Sequence, residues 1–115
     1  MDLSEAFESV LADSLYDYPS ESFIWSLVRP LARSATENNA LALDLIDLML
    51  SSGYFIAGDL GQGSQFSPWP GGRDEWVERI EADWRAWGDE VPTPGSIVWF
   101  AATESGREAA DKLLS

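Results

Sequence analysis

The sequence contains no cysteine and no histidine, and it has only seven lysines and arginines against twenty aspartates and glutamates. Without cysteine no disulfide can form, so a small secreted scaffold held by bridges is excluded. Without thiolate or imidazole, zinc sites built on those ligands are excluded as well. Ser-His-Asp and Cys-His catalysis lack their base. No phosphate-cradling loop is present: Gly61-Gln62-Gly63 follows a predicted strand, but it leads into no helix directly and carries no lysine. A carboxylate pair could serve glycoside hydrolysis, yet twenty acids guarantee chance pairs, so none is informative. The expectation is a non-enzyme with no catalytic residues, no metal site and no cofactor. Long hydrophobic runs are also missing. The longest, Ala40 to Leu50, is interrupted by Asp44 and Asp47, so no membrane span is expected. The first residues, Met-Asp-Leu-Ser-Glu, are acidic where a signal peptide needs positive charge, which points to a cytoplasmic location.

What is present fits one domain over residues 1–115. Hydrophobic residues make up 45 %, and six tryptophans supply large apolar surfaces for a core. The formal net charge is −13. Such a surface repels nucleic acid and attracts basic partners at long range. Plain solubility, or adaptation to a salty cytoplasm, is the simpler account of the same charge.

Hydrophobic spacing and punctuation divide the chain into elements. Asp2 to Asp17 reads as a helix, with Asp2 and Glu5 as a capping box and Leu3, Phe7, Val10, Leu11 and Leu15 on one face. Ser20 to Arg33 is open between a helix kinked at Pro30 and a short extended piece around Phe23 to Trp25. Glu37 to Ser52 is the clearest helix. Its stripe is Leu41, Leu45, Leu48 and Met49, widened by Ala42, Ile46 and Leu50, and Gly53 ends it. Tyr54 to Leu60 reads as a strand and Gly61 to Gly72 as a loop. Arg73 to Trp87 is a helix with apolar Trp76, Val77, Ile80, Trp84 and Trp87. The pairs Glu75–Arg79 and Glu81–Arg85 have the spacing for ion pairs on its exposed side. A turn-rich stretch, Asp89 to Gly95, leads to a second strand, Ser96 to Ala102, and Thr103 caps a last helix to about Leu114.

The fold expected is α+β: a mostly helical, winged-helix-like domain with a small antiparallel β-hairpin. Two segments resemble the winged helix-turn-helix superfamily. Leu45-Ile46-Asp47-Leu48-Met49-Leu50-Ser51-Ser52-Gly53-Tyr54-Phe55-Ile56 is similar to the family's third helix running into the first wing strand. Trp99-Phe100-Ala101-Ala102-Thr103-Glu104-Ser105-Gly106-Arg107-Glu108-Ala109-Ala110 is similar to the second wing strand and the start of the closing helix. Together they cover under a third of the chain, and both encode caps and packing, not chemistry. The chain departs from the family's pattern in two ways. Residues 61–95 form an insertion with an extra helix between the two strands. Ser34 to Gly72 holds no lysine or arginine, but it holds Glu37, Asp44, Asp47 and Asp59, where a DNA-binding member would place cations against phosphates.

The resulting expectation is an acidic protein–protein interaction domain, of the immunity or antitoxin type, inhibiting a basic, nucleic-acid-processing protein. Nucleic acid itself is an unfavourable partner. The alternative is a divergent winged-helix transcriptional regulator that binds DNA. Partner-binding candidates are Asp59, Phe66, Trp69, Asp74, Glu75, Glu78, Asp89 and Glu90. Phe66 and Trp69, in a Gly/Pro/Ser-rich loop, either present exposed anchors or fold back into the core. The acids are either a steering surface or an ordinary solvated helix face.

Overall fold

The computed structural model describes residues 2–115. Among them the helices are α1 (Leu3–Asp13), α2 (Glu21–Val28), α3 (Ala35–Ser51), α4 (Arg73–Trp87) and α5 (Glu104–Leu114). The strands are β1 (Phe55–Leu60), β2 (Phe66–Pro68) and β3 (Trp99–Ala102). They form one antiparallel sheet in the order β2-β1-β3. The domain is therefore α+β, mostly helical, with a small antiparallel sheet. Among the described residues no helix is long and apolar enough to cross a membrane.

Side-chain oxygens fix four of the helix starts by accepting backbone N–H groups that have no partner inside the helix. Asp2 accepts from Glu5, Ser20 from Phe23, Ser34 from Glu37 and Thr103 from Gly106. At α3 the Glu37 carboxylate also reaches back past the cap to the Arg33 N–H at 3.0 Å, tying down the residue before it. The Ser34 cap starts the helix at Ala35, two residues before the expected Glu37. The open stretch after Ser20 resolves as helix. Pro30 then turns the chain into a single 3-10 turn, Arg29–Leu31. Gly53 ends α3 with φ +78°, a conformation that side-chain-bearing residues rarely adopt.

The core is built from Val10, Ile24, Val28, Leu45, Ile46, Met49, Phe55, Ile80, Trp84 and Phe100, all essentially inaccessible. On α3 the buried face is Ala42, Leu45, Ile46 and Met49. Leu48, expected in the stripe, is 47 % exposed. At 100° per residue it lies about 120° from the centre of that face. Gly106 lets α5 start against β1: a Cβ there would stand 2.2 Å from the Tyr54 carbonyl oxygen.

Further sequence expectations need correction, and the first is that α1 ends at Asp13 and not at Asp17. The stretch 61–72 is not simply a loop, because Phe66–Pro68 pairs with β1 in the register Gly58↔Pro68 and Leu60↔Phe66. A six-residue strand thus turns back at once into a three-residue partner, and the sheet gains a third strand. The last strand is shorter than expected. Ile97 and Val98 are buried, but the N–H groups of Gly95 and Ile97 bond the Glu21 carboxylate and not a neighbouring strand. Finally, the i,i+4 pairs on α4 do not form. Among the described residues the ion pairs are Arg73 with Asp47 and Arg73 with Asp74. The Glu75 carboxylate instead accepts the Gly72 N–H at the helix start, and Arg79 lies over the Trp69 ring.

Glu21 is fully buried, which is rare for a carboxylate unless it is hydrogen-bonded. Its Oε1 accepts from the Ile97 N–H and the Ser96 hydroxyl, both at 2.8 Å, and its Oε2 from the Gly95 N–H at 3.0 Å. Next to it, the Phe100 N–H donates to the Pro19 carbonyl and the Glu21 N–H to the Val98 carbonyl. The start of α2 therefore covers the outer edge of β3 and straps down the stretch before it.

Candidate interaction surface

α3 and α4 run antiparallel and pack together. The C-terminal turn of α3 meets the start of α4 at Arg73, whose Nε donates to Ser51 Oγ at 2.8 Å while its terminal nitrogens pair with Asp74 and Asp47. The hydrogen bond to Asp74, with the charge of Asp47 behind it, raises the Arg73 pKa above its ordinary value. The arginine at this junction is thus already neutralised by two carboxylates. At the other end Asn39 of α3 donates to the Gly88 carbonyl at 3.2 Å and to Asp89 at 3.4 Å.

The solvent side of α3 presents Ala40, Asp44, Leu48 and Ser51, with Asp47 half-buried beside them. This surface carries two carboxylates and one large apolar side chain, Leu48. On α4, Asp74, Glu78, Glu81 and Arg85 are all exposed and fall within about 60° of arc at helical spacing. Glu75 borders this stripe, whereas Asp83 lies on the opposite side of the helix. The two helices therefore share an acidic outer face, and Arg85 is the one cation in the α4 stripe.

The eight candidates from the sequence divide into groups. Asp74 and Glu78 lie on the acidic stripe, exposed. Glu75 is exposed, but its carboxylate is engaged in starting the helix. Asp89 and Glu90 are exposed at the far end of α4, about 22 Å along a fifteen-residue helix from Asp74. Asp59 is exposed on β1, opposite Ser67 of β2. Phe66 is half-buried and stacks on Tyr18, ring centres 5.4 Å apart. Trp69 is 5 % exposed, under the Arg79 guanidinium at 3.7 Å. The exposed-anchor option therefore fails for Trp69, which belongs to the core. Among the described residues its Nε1 has no hydrogen-bond partner, and neither does that of Trp84. The loop is too short and too well paired to lift the ring: the Trp69 N–H bonds the Ala57 carbonyl at 3.0 Å.

Asp44, Leu48 and Arg73 were not among the candidates. Asp44 and Leu48 could have been found from their spacing of four on the clearest helix. Arg73 could not, because the Asp47 contact joins positions 26 residues apart.

Two clefts open on the surface. The larger, of about 600 Å³, lies between α2 and the start of α3 and is lined by Trp25, Arg29, Arg33, Ser34, Ala35 and Asn38 among others. The smaller, of about 340 Å³, lies between α3 and the second half of α4, with Leu43, Trp84, Glu81, Arg85 and Asp89 in its walls. Among the described residues no group of three or more carboxylates is placed to hold a metal ion. Comparison of the chain with protein-family models, curated proteins and solved structures gave no match.

Proposed function

We propose that this chain is an acidic protein–protein interaction domain that docks a basic protein partner on the outer face of α3 and α4. Within that reading it acts as an inhibitor of the immunity or antitoxin type, covering the nucleic-acid-processing site of its partner. The observation that carries the proposal is the face itself. Asp44, Asp74, Glu78 and Glu81 are exposed on two packed helices, Arg73 beside them is spent on Asp47 and Asp74, and Leu48 lies exposed within the acidic patch. Such a surface favours fast association with a positive partner. An apolar residue inside it supplies area that can be fully desolvated on docking. The resemblance of α3 to a winged-helix third helix fits a divergent member of that superfamily in which the helix meets protein. The same face placed in a DNA groove would set carboxylates against phosphates and release no counterions.

The test is affinity capture from the native host with the wild-type chain and with Asp44→Lys/Glu78→Lys/Glu81→Lys. A basic protein held by the wild type and lost with the variant, and whose nuclease or related activity falls on adding the wild type, is the expected result. Salt-sensitive binding of duplex DNA by the wild type in a gel shift would overturn the proposal.

A further inference from the structure

The larger of the two clefts has the opposite character to the acidic face of α3 and α4. Its lining includes two of the chain's seven cations, Arg29 and Arg33, and no aspartate or glutamate. Neither arginine forms an ion pair among the described residues. Both are exposed, although in a chain of net charge −13 carboxylate partners are abundant. The Glu37 carboxylate, which accepts the Arg33 backbone N–H at 3.0 Å, does not line the cleft.

The surroundings are built, not loose. The Arg29 guanidinium lies 5.9 Å from the centre of the Trp25 ring. Trp25 is fixed in turn, donating its Nε1–H to Asn39 at 3.1 Å, while Asn38, 3 % exposed, donates to the Trp25 carbonyl at 3.1 Å. These bonds tie the cleft's α2 wall to its α3 wall. Ser34 and Ala35, also in the lining, open α3, so the positive end of a seventeen-residue helix adds its field to that of the guanidiniums.

We infer that this cleft binds a small organic phosphate, with Arg29 and Arg33 holding the phosphoryl group and the remaining volume taking the rest of the ester. Two guanidiniums match a dianion in charge, and their planar forks match phosphate oxygens in shape. The volume of about 600 Å³ is in the range of small-ligand sites and far exceeds what an inorganic ion fills. The acidic face does not forbid this, since charges more than about 8 Å away are largely screened at physiological ionic strength. The site is separate from the acidic face of α3 and α4, and it stands or falls independently of the protein partner proposed there.

The experiment is a titration of the full chain with adenosine monophosphate and, separately, with inorganic phosphate, followed by tryptophan fluorescence and by amide shifts in NMR. The expected result is saturable binding of the nucleotide with Kd below about 1 mM. Shifts should be confined to residues around Arg29, Arg33, Ser34 and Ala35, and inorganic phosphate should bind at least about tenfold more weakly. Arg29→Ala and Arg33→Ala should each weaken the nucleotide about tenfold, Arg29→Lys should restore only part of the loss, and Arg107→Ala, on α5, should change nothing. Far-ultraviolet circular dichroism of each variant establishes that it is folded. No saturation by either ligand, or binding that survives loss of both arginines, overturns the site. Equal affinity for the nucleotide and inorganic phosphate overturns the assignment of an ester.

Discussion

Replacing Glu21 is the sharpest test of how the fold is held. Among the described residues its carboxylate is the one fully buried charge-bearing group, and it joins the first turn of α2 to residues 95–97, more than seventy positions away. In Glu21→Ala the N–H groups of Gly95 and Ile97 lose their acceptor. The Ser96 hydroxyl loses less, because it can turn fully to the Thr93 carbonyl, already at 2.7 Å. Two unsatisfied N–H groups, each formerly bonded to a carboxylate, cost together about 3–5 kcal/mol. For a domain of this size that lowers Tm by roughly 12–20 °C. Glu21→Gln separates the hydrogen bonds from the packing. Its amide oxygen can take the place of Oε1, which serves both Ile97 and Ser96, but its NH2 then faces the Gly95 N–H, donor against donor. One bond is lost at similar volume, for a cost of about 1–3 kcal/mol.

The assay is urea denaturation of both variants, with hydrogen exchange of the Gly95 and Ile97 amides. Exchange should accelerate in Ala for both amides and in Gln mainly for Gly95. A Gln variant as stable as the wild type within about 0.5 kcal/mol would refute the assignment of the carboxylate as an acceptor for Gly95. An Ala variant losing less than about 1 kcal/mol would refute the strap altogether.

Further outcomes follow from other contacts. Gly106→Ala should lose about 2–3 kcal/mol in urea denaturation, because its Cβ meets the Tyr54 backbone oxygen at 2.2 Å and neither α5 nor β1 can yield freely; a loss below 0.5 kcal/mol would show that the two elements separate easily. Asp13 has a raised pKa, first from burial and then from the charge of Asp17. The folded state therefore binds its proton more tightly than the unfolded chain, and stability falls as pH rises through the interval above 3.8. Asp13→Asn should accordingly stabilise the domain at neutral pH, with the gain vanishing below that value, as read from thermal melts across pH. Trp69→Ala should destabilise by about 3–5 kcal/mol as a core deletion, against about 1 kcal/mol or less for Arg79→Ala, which loses a cation–π contact at an exposed site. A Trp69→Ala variant with wild-type stability would restore the ring to the surface. On the proposed partner surface, Asp44→Lys should slow association and flatten its salt dependence, whereas Leu48→Ala should mainly speed dissociation, both measurable by surface plasmon resonance once the partner is in hand.

Most of the helices could be read from the sequence because their signals are local. A polar oxygen followed three residues later by a free N–H marks Asp2, Ser20, Ser34 and Thr103, and the physics that places each cap acts within one turn. The start of α3 lies two residues before the expected Glu37 because Ser34 caps it, accepting the Glu37 N–H three residues on. β2 was not readable in this way. Phe66-Ser67-Pro68 has too few residues for alternation and ends in proline, and it becomes a strand only because Gly58 of β1 leaves room for it: a Cβ on Gly58 would meet the Ser67 carbonyl at 2.3 Å. The strap is less readable still. Nothing within ten residues of Glu21 distinguishes it from an exposed acid in a first helical turn, and its three partners are supplied by the far end of the chain.

The candidate surfaces show the same division between local and distant causes. The stripe on α4 follows from its own spacing, so Asp74 and Glu78 could be named in advance. That Trp69 is core follows from Arg79 above it and β1 beside it, and composition alone suggested only that a Gly/Pro/Ser-rich segment carries an aromatic ring. Net charge hides most. A value of −13 is a sum, and a sum cannot report that two arginines gather in a cleft whose lining has no carboxylate while a third is neutralised between α3 and α4. Arg29 and Arg33 are four residues apart in sequence, yet Pro30 and the 3-10 turn break the helix between them. Helical spacing thus does not bring them to one cleft; the packing of α2 against α3 does, through Trp25, Asn38 and Asn39. A binding surface made by packing two elements can be inferred only after the packing is known, and for this reason a net charge of −13 is silent about the cleft that Arg29 and Arg33 line.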